Sequence, residues 1–495
     1  MNQISYFRPL LRESIDRFLS ERRNGERNFC NFTSIFCRLL QSLPDPPLEI
    51  VWFYSALTFH SLEFSDQEYS KPVLVVKELF QLIVSCSDSC NVNQKMATLA
   101  PVMCELYRLV VFDKKELRGE IEDLLEGIVG YISICCGTHF EEEGELESLS
   151  SCFEDLVRVW MVKRVGENCD TGKVMRAFFP LLGDGVLGRV CEGCEVGYLA
   201  GTIMTEAFLL RLCLKFGSFT LRTEIEEELR NNVVQMINGF RNVYFFDTIL
   251  RMLLEPMLPV TSLLSIEDEV FLREVLYDAV IMAEYSFLDL QGGVELPSKH
   301  LKSLAVTWLL VADNAIRFAR IGCREIGDQT KVISYMDAFC ESRLSSQLSK
   351  WIIGQTGICG QSSKPTIGTP IALIRWILNV EKQGIKVFDC DTYKIYAESI
   401  IRKSRKGYEL PAIRSDGENL REDYFLYSEN ESEEDDKLDD DTNMVDSMDV
   451  ALSTASGLIS SGAIDDTRKR KEERMNDSGR EVKFTRYEIQ EYSVR

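Results

Sequence analysis

From Ile4 onward the chain repeats one pattern, in which apolar residues recur three and four positions apart and charged residues fill the opposite side. Ile4, Phe7, Leu11, Ile15, Phe18 and Leu19 share one helical face, while Arg12, Glu13, Asp16 and Arg17 share the other. Pro9 fits such a helix only near its start, because proline has no N–H to donate and its ring crowds the preceding turn. The pattern returns at Phe32, Ile35, Phe36, Leu39, Leu40 and Leu43, and it stops at Pro44-Asp45-Pro46-Pro47, which forces a turn. Further helices are predicted at 48–59, from Pro72 with Val73, Val76, Leu79 and Ile83 inward, around Leu99 to Val110, around Leu117 to Ile132, and around Leu149 to Trp160 after an acidic loop at 141–145.

The middle is less regular, and the glycines between Gly183 and Gly201 predict loops there. Periodicity resumes at Leu221, Ile225, Leu229, Val233, Met236 and Ile237, and helices are expected at 243–254, 266–288, 299–321, 331–353, 370–382 and 391–406. Ser151-x-x-Glu154, Thr223-x-x-Glu226 and Ser265-x-x-Asp268 have the form of N-terminal caps, with a hydroxyl and an acid three residues apart. Strand-like alternation is nearly absent.

Roughly 17 helices in residues 1–427 give about 50 residues per helical pair, slightly above the ~40–47 of HEAT or armadillo units. The expected fold is all-α, a degenerate HEAT- or armadillo-like α-solenoid of helical hairpins. An irregular all-α globule is the alternative, since no signature residue recurs at a fixed period. The Gly/Ser stretch 354–370 offers a point of subdivision.

Near residue 428 the pattern ends. Residues 428–481 form a tail expected to be disordered, with an acidic block of Glu429, Glu431, Glu433, Glu434, Asp435, Asp436, Asp439, Asp440 and Asp441, then a basic cluster of Arg468, Lys469, Arg470 and Lys471. In 482–495, Val482, Phe484, Tyr487, Ile489, Tyr492 and Val494 alternate with polar residues, as in an amphipathic docking segment.

Composition adds constraints. A hydrophobic fraction of 45% is that of a folded protein, and the formal net charge is −22. The tail holds 19 Asp or Glu and 10 Lys or Arg, which leaves −13 on residues 1–427. Such a body repels phosphate backbones and anionic lipid, so direct nucleic-acid and membrane binding by it are not expected. The most apolar stretch, 301–319, is interrupted by Lys302, Asp313, Asn314 and Arg317, which suits a buried helix rather than a membrane span. The 16 cysteines, many amid apolar neighbours, read as buried thiols in a reducing compartment, and the N-terminus has no secretory-signal pattern.

Several strings invite chemistry. Gly183-Asp184-Gly185-Val186-Leu187-Gly188 has the spacing of a phosphate-binding loop, but no strand precedes it, so an interhelical loop is expected. Cys191 and Cys194 form a C-x-x-C pair, weak as a metal site because two further ligands at suitable spacing are missing. Cys135, Cys136 and His139 are adjacent in sequence, which is not how catalytic Cys and His meet. Lys364 in 354–370 lacks the phosphate-loop order, and Arg402-Lys403-Ser404-Arg405-Lys406 suits the negative end of a helix dipole.

No catalytic residue and no cofactor is expected. The leading expectation is a non-enzymatic nuclear scaffold or adaptor that binds protein partners through its helical surface, as part of a larger complex. Arg468–Lys471 would be read by an importin, and Ser428 and Ser432, each followed three residues on by an acid, would be phosphorylated. The alternatives are an acidic-tail chaperone or carrier of histones or ribosomal proteins, and an all-helical enzyme with a site near 183–194. Cytoplasmic residence or shuttling is the alternative to the nucleus.

Overall fold

A computed structural model describes residues 4–406 apart from 27, 44–45, 63–71, 113–116, 138–148, 150–151, 163, 165–169, 192–194, 217–221, 289–298, 327–328 and 357–367. The chain divides into Met1–Phe425 and Leu426–Arg495, and the second part lies outside the described residues. So do the acidic block, Arg468–Lys471, Ser428, Ser432 and the 482–495 segment.

The described residues are all-helical. In chain order the helices are Ile4–Arg23 (α1), Cys30–Ser42 (α2), Leu48–Leu62 (α3), Pro72–Cys86 (α4), Val92–Thr98 (α5), Ala100–Phe112 (α6), Arg118–Gly137 (α7), Phe153–Met161 (α8), Thr171–Phe178 (α9) and Asp184–Cys191 (α10). They continue with Val196–Phe216 (α11), Arg222–Phe240 (α12), Val243–Leu254 (α13), Ile266–Met282 (α14), Lys299–Ile326 (α15), Thr330–Glu341 (α16), Arg343–Thr356 (α17), Pro370–Lys382 (α18) and Asp391–Lys406 (α19).

Two runs of neighbours organise the helices. α3, α5, α11, α13, α15 and α18 pack in succession, and α4, α7, α12, α14 and α16 do the same. The hairpins α11/α12, α13/α14 and α15/α16 each place one helix in either run. α8 packs on α3 and α9, and α10 packs on α11 and α13. The turn from α12 to α13 is only two residues long. Arg241 takes a left-handed backbone there (φ 44), and the Asn242 side chain then caps α13 by accepting from Phe245 N at 3.0 Å.

The largest correction to the sequence reading falls on 183–201. Instead of loop, Asp184–Cys191 is helical, and Val196 opens α11, of whose 21 residues 17 are buried. A helix buried on every side has no polar stripe, so the periodicity that reveals surface helices vanishes. Its glycines serve contact rather than turning. A Cβ on Gly201 would lie 2.5 Å from the Tyr244 carbonyl carbon, and one on Gly197 would lie 2.5 Å from the Tyr244 ring, so α11 and α13 meet at a distance only glycine permits.

Smaller corrections have local causes. The expected helix 331–353 is broken at Ser342, which is extended (ψ 131), and the Ser345 hydroxyl donates to the Phe339 and Ser342 carbonyls on either side of the break. The expected 266–288 helix ends at Met282, followed by a single 3-10 turn at Ser286–Leu288. Thr223 lies inside α12 rather than capping it, and the residue before α8 is Cys152 rather than Ser151. Ser265 does cap α14, accepting from Asp268 N at 3.2 Å. Pro9 sits in the second turn of α1, where the N–H it lacks is missed only by the helix's outermost residues.

Glycine substitutions give opposite signs at two places. Gly201→Ala forces a methyl group into α13 backbone and is expected to cost about 1–3 kcal/mol. Gly127→Ala, inside α7 with nothing within 4 Å of the added atom, is expected to stabilise by about 0.5–1 kcal/mol. Urea unfolding of the two variants against the parent chain measures both.

Candidate functional site

The first turns of α11, α13, α15 and α19 carry an uninterrupted row of aromatic and cationic side chains. The Tyr198 ring lies against Tyr244 (centroids 5.7 Å apart), and Tyr244 against His300 (5.4 Å). Arg189 reaches over Tyr198 from α10, with its guanidinium 4.9 Å from the ring centroid and a 2.5 Å hydrogen bond to the phenol oxygen. The Tyr198 hydroxyl donates to Asp247 Oδ2 at 2.7 Å, and Arg251 Nε donates to the same oxygen at 2.5 Å. Burial, and then the Asp247 carboxylate, push the Tyr198 phenol well above its ordinary range, so it stays a donor.

Beyond Arg251 the row continues onto α19. Its guanidinium donates to the Tyr393 hydroxyl and lies 4.9 Å from that ring's centroid. Beside it, Lys302 pairs with Asp389 at 2.7 Å, and His300 Nε2 stands 3.6 Å from Glu195 Oε2. Asp247 and Arg251 are buried, whereas Arg189, Tyr198, Tyr244 and His300 are half-exposed. The chemistry on offer is recognition: aromatic faces, hydrogen-bond donors and cations held rigidly at a partly open edge.

The other run of helices is tied by charge. Asp278 of α14 accepts from the Tyr335 hydroxyl of α16 at 2.6 Å and pairs with Arg230 of α12 at 2.7 Å and Lys331 of α16 at 3.2 Å. Lys331 also meets Glu274. These groups link α12, α14 and α16 in a charged cross-tie.

The glycine-rich string is occupied from within. A Cβ on Gly183 would lie 1.5 Å from Glu255 Oε2, and Gly185 N donates to Glu255 Oε1 at 3.2 Å. The carboxylate of the residue after α13 thus sits where the start of α10 favours negative charge. The Glu255 carbonyl accepts from Arg273 of α14 at 2.9 Å. The expected interhelical loop is thus replaced by the start of α10, with Gly183 just ahead of the helix and Gly185 and Gly188 inside it, and the space a phosphate would need is filled by Glu255.

The remaining flagged residues do not assemble. Cys194 and the side chain of Cys191 lie outside the described residues, as do His139 and Lys364. Cys135 and Cys136 are in the last turn of α7. His60 is a core residue, its Nε2 2.9 Å from the Val159 carbonyl and its ring against Trp160. Arg402 pairs with Glu398 at 3.7 Å within α19. Among the described residues no three His, Cys, Asp or Glu side chains gather as metal ligands would.

Sequence reasoning missed Glu206. It is fully buried in α11, accepts from Leu181 N at 3.3 Å, and burial raises its pKa to about 8, with the Leu181 bond opposing. Its apolar surroundings, in a helix with no polar stripe, hid it. The row itself was equally unlisted, because its members come from five separated segments.

Compared with known protein families, curated proteins and solved structures, the chain matches none.

Glu206 binds its proton more tightly in the folded chain than in the unfolded one, so its contribution is fully present below about pH 4.5 and is lost as pH rises to about 8. Glu206→Gln is expected to remove a downward slope on the order of 1 kcal/mol per pH unit across that window. Urea midpoints of parent and variant between pH 5 and 8 should diverge, with the variant gaining relative stability at the alkaline end.

Proposed function

We propose that the protein is a non-enzymatic nuclear scaffold of degenerate HEAT- or armadillo-like helical hairpins that docks protein partners on the row Arg189–Tyr198–Tyr244–His300. The observation that carries the reading is this row: arginine and tyrosine, the residue types that dominate binding hot spots, are held in a chain of bonds, Arg189 to the Tyr198 oxygen and Tyr198 to Asp247, yet remain half-exposed. The successive packing of α11, α13 and α15, and of α12, α14 and α16, supports a repeat architecture, in which neighbouring units shield each other and leave a continuous face for partners. The net charge of the body favours proteins over nucleic acid as partners.

The tail supplies import and regulation in this reading. Arg468, Lys469, Arg470 and Lys471 form a short basic run of the kind importins bind, and Ser428 and Ser432 stand within an acidic block whose field phosphorylation would deepen.

Affinity purification with mass spectrometry tests the central claim. Tyr244→Ala combined with His300→Ala should lose the principal partner recovered with the parent chain while the melting temperature shifts by only a few degrees. Undiminished recovery removes the row from the reading. Replacing Arg468–Lys471 with alanine should move a fluorescent fusion from nucleus to cytoplasm, and an unchanged nuclear signal overturns the import assignment.

A further inference from the structure

α19 is attached differently from every helix beneath it. Of its described side chains only Ala397 and Ile400 are buried, whereas the shorter α18 buries Pro370, Leu373, Ile374, Ile377, Leu378 and Val380. Polar bonds at its rim hold it instead. Tyr393 accepts from Arg251 of α13, the Tyr396 hydroxyl donates to Asn314 Oδ1 of α15 at 3.0 Å, and Lys394 pairs with Glu381 of α18 at 3.6 Å. Tyr393, Tyr396, Ala397 and Ile400 stand at i, i+3, i+4 and i+7, the spacing with which an amphipathic helix lays one face into a groove.

The seat beneath is held in place without α19. Arg251 is fixed by Asp247 at 2.5 Å, and Asn314 Nδ2 donates to the Leu253 carbonyl at 3.4 Å. Lifting α19 would therefore uncover a ready-made groove between α13, α15 and α18, with two polar anchors spaced for tyrosine hydroxyls. Only Ala397 and Ile400 are fully buried, with Tyr393, Tyr396 and Ile401 packed partly buried against the core, and elements with few fully buried apolar side chains are those that open locally while the rest of a protein stays folded.

We propose that α19 is a displaceable strap over a helix-accepting groove, and that the groove takes an amphipathic partner helix carrying tyrosines at i and i+3 with small and apolar residues at i+4 and i+7. The inference rests on the scaffold reading and adds its regulation: Arg251 joins this groove to the row at Tyr198, so the strap covers one end of the docking surface. A tethered helix competes with an effective concentration on the order of millimolar, so a partner gains access when the strap's own anchors weaken.

Hydrogen exchange read by mass spectrometry on the full chain, together with a labelled synthetic peptide of residues 389–406, tests this. Tyr393→Phe with Tyr396→Phe keeps both rings and removes both hydroxyls. The double variant should speed exchange of α19 amides about tenfold or more and leave α18 unchanged, since each lost hydrogen bond is worth up to about a factor of ten. The peptide should bind the variant at least tenfold more tightly than the parent chain, and a scrambled peptide should bind neither. Exchange of α19 in step with α18 in both proteins overturns the strap. Faster exchange with no peptide binding overturns the groove as a helix site. Peptide failure alongside row-dependent partner capture leaves the scaffold standing and sinks only this proposal, and the reverse result sinks the scaffold alone.

Discussion

Where α11 crosses α13, two glycines one helical turn apart admit Tyr244, Gly201 against its backbone and Gly197 against its ring. Everything nearby depends on that distance. With the axes so close, Tyr198 and Asp247 can bond directly, Arg251 can reach the same carboxylate, and Tyr244 is left to turn its ring toward Tyr198 and His300. A larger residue at 201 would separate the helices and with them each link of the row, so the same contact that closes the core also sets the spacing of the surface above it.

Among the described residues, buried carboxylates are held by the donors the fold brings to them. Asp278 gathers Tyr335, Arg230 and Lys331 from the helices on either side, and Glu269 accepts from Leu258 N and from Arg273. Asp278 draws its donors from α12 and α16, whereas Glu269 draws one from the α13–α14 connection and one from its own helix. Hydrophobic burial is indifferent to the precise stagger of helix on helix, whereas a shared carboxylate accepts only one. Glu206 carries a single backbone donor, and burial raises its pKa to about 8.

Amphipathic helices were legible from residues alone because their water-facing sides are polar. The limits of 243–254, 370–382 and 391–406 agree with the sequence reading, helped by Asn242, Pro370 and Asp391 at their starts. What escaped notice was what lacks a wet side. α11 shows no stripe, and its glycines carry the same signature as a turn until the partner helix is known. The break at Ser342 has neither glycine nor proline to announce it. The row was unreadable for another reason, since Arg189, Tyr198, Tyr244, His300 and Tyr393 are ordinary residues until packing brings together helices that lie far apart in the chain.

Glu255 belongs at once to three elements. Its amide closes the end of α13 on the Met252 carbonyl, its carbonyl takes the Arg273 guanidinium from α14, and its carboxylate lies against the glycines that begin α10. A residue bound in three directions has no slack. A tilt of α14 pulls on the carbonyl, and a rotation of the peptide unit that followed it would drag the carboxylate out of its glycine cradle and unseat α10, which carries Arg189. One residue thus joins a helix of the second run, through its carbonyl, to the helix that carries Arg189, through its carboxylate.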